Sequence, residues 1–136
     1  MAIATACLVA VCHASAARQD HPASPHRHAE GESLTNPVPR TPGSVTTGSG
    51  LYAKLCAQCH GQYGLGNGRM ASAIAAYGAR PSNLTDAEWQ HGSTDGEIFL
   101  VVKEGVGPDF HMPAYGGKLA PEDIWNVVNF IRNLAI

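Results

Sequence analysis

The chain carries little charge and little aromatic character. Of its 136 residues, 15% are charged and 7% aromatic, against about 25% charged in an ordinary soluble domain. A net charge of -2 supplies no basic surface, which argues against a nucleic acid or another polyanion as partner. Long apolar runs are missing as well. The N-terminal one, residues 1–16, falls short of the about 20 residues that a bilayer-spanning helix needs. Cysteine is scarce and badly placed for bridging: Cys7 and Cys12 lie in that apolar run, and Cys56 and Cys59 are the only other two. No disulfide framework is available. Paired carboxylates and a Ser/His/Asp pattern with nucleophile context are also absent, so nothing points to hydrolytic chemistry. No convincing period-two strand pattern occurs, and the expected fold class is all-α.

What is present centres on Cys56-Ala57-Gln58-Cys59-His60. Two thiols three positions apart share one helical turn, where they can add across the two vinyl groups of one porphyrin while the adjoining imidazole reaches the iron. This C-x-x-C-H run reads as a covalent c-type haem attachment site. A thioredoxin-type redox pair would want a βαβ context, and a zinc site a second ligand pair at matching spacing. The chain offers neither.

From the N-terminus, residues 1–16 end in Ala14-Ser15-Ala16, an A-x-A pattern, and read as a secretory leader cleaved after Ala16, although no Lys or Arg stands near Met1. Export through such a leader implies the periplasm. Residues 17–43 hold five prolines among small and polar residues and no hydrophobic period, so they read as a disordered Pro/His-rich linker. His21, His26 and His28 in it are expected to be solvated, because no scaffold holds them in a coordination geometry. The folded domain is expected over 44–136. Its first helix carries Leu51, Tyr52 and Leu55 on one face with Thr46 or Thr47 as N-cap, and delivers Cys56, Cys59 and His60. Gly61, Gly64, Gly66 and Gly68 follow as a turn-rich loop that lets backbone approach a porphyrin. Met70–Tyr77 reads as a short helix. Thr94-Asp95-Gly96-Glu97 is a capping-box pattern, opening a helix that stops at Gly105. Pro121 at the first helical position opens a last helix whose apolar stripe is Ile124, Trp125, Val127, Val128, Ile131 and Leu134.

His60 fills one axial position of the iron; Met70, His91, His111 and Met112 are the candidates for the other. Met112 lies in an irregular loop stiffened by Pro113, and a thioether is a soft ligand suited to haem iron. Its neighbour His111 is the competitor.

These residues together resemble a class I c-type cytochrome of the small bacterial mono-haem type. The likeness covers about residues 44–136: Gly48-x-x-Leu51-Tyr52 before Cys-x-x-Cys-His-Gly, Arg80-Pro81-x-x-Leu84, Met112-Pro113-x-Tyr115, and Glu122-Asp123-Ile124-Trp125-x-Val127-Val128-x-Phe130-Ile131. The resemblance implies three to five helices around one covalently bound haem c, with Pro81 and Leu84 packing on it. It also implies a first and last helix crossing closely, Gly48 admitting the contact between Tyr52 and Phe130. The chain departs from relatives that ring the haem edge with lysine, having only Lys54, Lys103 and Lys118. Apolar contact should therefore outweigh long-range steering when a partner docks.

The expected function is non-enzymatic: one-electron transfer between redox protein partners, by a monomer or a subunit of a redox complex. The alternatives are an electron-transfer subunit of a larger dehydrogenase or oxidase, in which the Pro-rich stretch is a tether, and a haem sensor or peroxidase-like protein whose sixth ligand is labile.

Overall fold

The computed structural model describes residues 24–107 and 111–134; the leader expected at 1–16 lies outside them. Among the described residues six helices account for the regular structure: α1 (Ala29–Glu32), α2 (Pro42–Leu55), α3 (Ala57–His60), α4 (Ala71–Ala75), α5 (Asp95–Glu104) and α6 (Pro121–Leu134). No strand occurs among the described residues beyond one isolated antiparallel bridge between Val106 and Met112. The all-α reading holds.

The core forms where α6 packs against α2 on one side and α5 on the other. Ile98, Phe99, Leu100 and Val102 of α5 and Ile124, Trp125, Val127, Val128 and Ile131 of α6 are buried. Phe99 and Trp125 stack with centroids 4.1 Å apart and planes 18° from parallel, an arrangement that adds to the burial energy of both rings. The expected crossing of α2 and α6 is present. A Cβ on Gly48 would overlap the Asn126 carbonyl of α6, so only glycine permits this approach. One turn further along α2, the Tyr52 ring meets the Phe130 ring at 5.0 Å.

Caps set the helix ends. Thr94 and Glu97 form the full reciprocal box at the start of α5, and Gly105 at φ 76° ends that helix. The start of α2 differs from expectation. Its N-cap is Thr41, whose side chain accepts from the Ser44 amide, with Pro42 at the first helical position. Thr46 lies inside the helix and donates its hydroxyl to the Pro42 carbonyl. Helix formation thus begins one turn earlier, where proline's fixed φ and missing N–H cost nothing.

A second difference concerns residues 24–43, which the sequence suggests are a linker. The Arg27 guanidinium grips the Glu97 carboxylate through Nε and NH2 at 3.1 and 3.2 Å. Gly31 of α1 packs against the backbone of Gly96 and Glu97 with no room for a side chain. Further on, Asn36 donates to Asn129 Oδ1 (2.9 Å), and Asn129 Nδ2 donates to the Val38 carbonyl (3.0 Å). The described part of this stretch is fixed to α5 and α6 by polar contacts and backbone proximity, which leave no hydrophobic period in a sequence.

Candidate functional site

Between α2–α3 on one side and the loop joining α5 to α6 on the other lies a cavity of about 410 Å³, a size typical of cofactor pockets. Cys56, Cys59, His60, Pro81, Leu84 and Met112 all line it, as do His91 and His111. All but one of the residues singled out for haem in the sequence therefore meet at one place. Met70 stands apart: it caps α4 and is 42% exposed.

The cysteine wall is built from short helical pieces. The Cys59 and His60 amides donate to the Cys56 carbonyl at 3.1 and 2.9 Å, closing the turn that sets both sulfurs and the imidazole toward the cavity. Gly61 ends it at φ 81°, a left-handed backbone that glycine adopts without strain. Its carbonyl accepts the Tyr52 hydroxyl at 2.8 Å, tying the turn back to α2.

His60 Nδ1 lies 3.0 Å from the Ser82 carbonyl. A carbonyl only accepts, so Nδ1 carries the proton and Nε2 keeps its lone pair. Backbone bonding of this kind fixes the tautomer of a metal-bound histidine. Burial pushes the His60 pKa down, against the opposing pull of the Ser82 bond, and the neutral imidazole is the form that ligates. Sequence reasoning missed Ser82, because a backbone acceptor leaves no mark in residue type.

The two thiols do not favour thioredoxin-type chemistry. Burial and the neighbouring Cys59 push Cys56 up to about 12, and burial also raises Cys59. A redox-active C-x-x-C pair depends on a lowered thiol pKa; these are shifted the other way. Cys56 and Cys59 are instead the attachment points that a porphyrin's two vinyl groups require.

The Met112 wall is irregular. Val106 and Met112 exchange backbone hydrogen bonds at 2.9 and 3.0 Å, and that bridge pins the start and end of the loop together. Behind it, the Tyr115 hydroxyl donates to the Leu55 carbonyl at 3.0 Å, linking this loop to the end of α2. His111 folds over Gly107, whose φ is 70°. Between the two walls, Leu84 is 9% exposed, and its amide donates to the Gly64 carbonyl at 2.6 Å. Ile98, Val102, Val127 and Ile131 close the bottom, so the inward stripes of α5 and α6 serve as core and cavity floor at once.

The residues fit a haem on this structure's own terms. Two thiols and a tautomer-fixed imidazole occupy one wall, a thioether faces the same space, and the floor is apolar. A helical fold around such a cavity defines a c-type cytochrome, with the covalent haem c and electron-transfer chemistry of that class.

Comparison with known proteins makes the assignment specific. Residues 43–131 match the family described as cytochrome C oxidase, cbb3-type, subunit III, and the chain belongs to it. It is 30% identical over 102 residues to the Cbb3-type cytochrome c oxidase subunit FixP of Azorhizobium caulinodans, covering 75% of this chain and 31% of that protein. Against the Cbb3-type cytochrome c oxidase subunit CcoP of Rubrivivax gelatinosus it is 34% identical over 98 residues, covering 71% of this chain and 28% of that one. The chain thus spans under a third of these relatives. Among solved structures, a chain of the Kuenenia stuttgartiensis reducing HAO-like protein complex shares the fold at a TM-score of 0.64 and 24% identity, over 76% of this chain and 50% of that one. A c-type cytochrome, KustC0563, aligns at a TM-score of 0.50 and 29% identity, over 65% of this chain and 98% of that one.

Proposed function

We propose that this chain is a one-electron carrier in which His60 and Met112 would ligate the iron of a single haem held by Cys56 and Cys59. The observation that carries the reading is the cavity with His60 on one wall, its Nδ1 committed to Ser82, and Met112 on the other. The bound haem supplies a reversible one-electron couple; the chain's residues hold it and shut substrates out. Cys56 and Cys59 prevent its loss. His60 offers Nε2, Met112 offers sulfur, and a ligand pair of this type raises the reduction potential relative to two histidines. Pro81 and Leu84 pack against the ring. With His60 and Met112 both holding the iron, a substrate would find no open position on it, and no general acid or base would be needed.

The chain works in the periplasm, exported by the leader at its N-terminus, and passes electrons to or from protein partners. Relatives named as oxidase subunits favour a place within a larger redox assembly over a freely diffusing carrier. The test of the axial assignment is carbon monoxide added to the dithionite-reduced, haem-loaded protein. An unchanged absorption spectrum is expected; rapid tight binding would overturn the reading.

That second outcome would favour a haem sensor or peroxidase-like protein. His91 and His111 line the cavity and would supply its distal group.

A further inference from the structure

The bond that fixes His60 has a support of its own. Ser82, whose carbonyl accepts His60 Nδ1–H at 3.0 Å, donates its hydroxyl to Oε1 of Gln90 at 3.1 Å. Both residues line the cavity. Residues 79–83 form no helix, so the direction of the Ser82 peptide is set by contacts to other segments. The Leu84 amide secures one end of this stretch on the Gly64 carbonyl, and the Gln90 side chain secures Ser82 itself.

Gln90 is the fixed end of the link. Its carbonyl accepts the His26 amide at 3.0 Å, in the N-terminal stretch that Arg27 fastens to Glu97. Just before it, the Trp89 ring meets the Arg132 guanidinium of α6, 5.4 Å from its centroid. Just after it, the Glu97 carboxylate of α5 accepts the Ser93 and Thr94 amides at 2.8 and 2.9 Å. Three separate parts of the fold thus brace the loop that carries Gln90, and an exposed residue reaches the histidine through one hydroxyl.

We propose that Gln90 is a positioning residue for His60: by holding the Ser82 hydroxyl it sets how squarely the Ser82 carbonyl meets Nδ1–H. The inference rests on the carrier reading above for the assignment of His60 to the iron. The ring nitrogen that holds the proton does not change, since the acceptor is main chain; the strength of the bond does. A stronger bond from Nδ1–H makes the imidazole a better donor, which favours the oxidised, more positively charged iron. Loss of the Gln90 contact weakens the bond and favours the reduced form. A loop that merely loosened would let water into the cavity and act in the opposite sense, because water stabilises the higher charge.

The test is the reduced-to-oxidised ratio of the haem-loaded protein at one fixed ambient potential and neutral pH, for wild type, Gln90→Ala, Ser82→Ala, Ser82→Thr and the double variant Ser82→Ala with Gln90→Ala. Gln90 is exposed, so its truncation leaves the core intact. The ratio should rise by about twofold or more in each alanine variant, with the low-spin spectrum kept. It should rise no further in the double variant, since both changes remove the same contact. Ser82→Thr keeps a hydroxyl and should stay near wild type. An unchanged or lowered ratio in Gln90→Ala overturns the proposal, as do effects that add in the double variant. Should Gln90→Ala fail to take up haem, Ser82→Ala against Ser82→Thr decides: a rise in the first alone supports the link, and equal ratios overturn it. Failure of the carrier reading is separate, since it shows as carbon monoxide binding by the reduced wild type, a result independent of these ratios.

Discussion

The two walls of the cavity are held in different ways. On the cysteine side, consecutive helical turns, the Tyr52 bond to Gly61 and the Ser82 bond to His60 fix every group from more than one direction. On the methionine side, an irregular loop hangs between α5 and α6, pinned by the Val106–Met112 bridge and the Tyr115 bond to Leu55. Local stability follows the density of such fastenings. Covalent attachment through Cys56 and Cys59 thus belongs to the firmly held wall, and Met112 to the more loosely fastened one.

The contrast is broken most completely by removing the attachment points. Cys56→Ala with Cys59→Ala should abolish covalently bound haem, read as loss of haem-linked peroxidase staining on a denaturing gel. Met112→Ala should leave that staining intact and instead yield high-spin iron that binds carbon monoxide; staining lost together with the low-spin spectrum would mean that the second wall also retains the haem.

The remaining predictions concern the supports. Gly48→Ala drives a methyl group into the Asn126 carbonyl and should lower stability by about 2–4 kcal/mol in denaturant unfolding, because neither backbone can give way cheaply. Glu97 is the support of the N-terminal stretch. It is fully buried, and although burial alone would raise its pKa, hydrogen bonds from Thr94, Arg27 and Ser93 hold it down, from 4.5 to about 2. A carboxylate with a depressed folded-state pKa stabilises above its unfolded value and loses that contribution as pH falls through the folded one. Stability should therefore decline between about pH 4.5 and 2, by about 3 kcal/mol from this group. Glu97→Gln should remove that share of the decline.

Legibility in the sequence followed the kind of interaction involved. C-x-x-C-H, the Thr94–Glu97 box, Pro121 and the stripe of α6 are side-chain patterns at fixed spacing, and each sits where expected. Gly48, Tyr52 and Phe130 were readable together only through the resemblance to class I c-type cytochromes, and the structure brings them together as that resemblance implies. The start of α2 was obscured by Gly43, Gly48 and Gly50 among Ser and Thr, all weak helix formers, although Thr41-Pro42 is a sound start signal. Residues 24–43 hid their packing because its fixings are an arginine, an asparagine, a glycine and a main-chain carbonyl. Their partners lie about 60 to 90 positions away, beyond the reach of any local pattern.

The His60–Ser82 contact has an evolutionary consequence. Its acceptor is a main-chain carbonyl, which every amino acid at position 82 would present alike. Drift at that position can change the side chain without touching the choice of ring nitrogen. Only an insertion, a deletion or a rerouting of the chain near Pro81 could reverse that choice, so the tautomer of His60 is insulated from point mutation at its own partner.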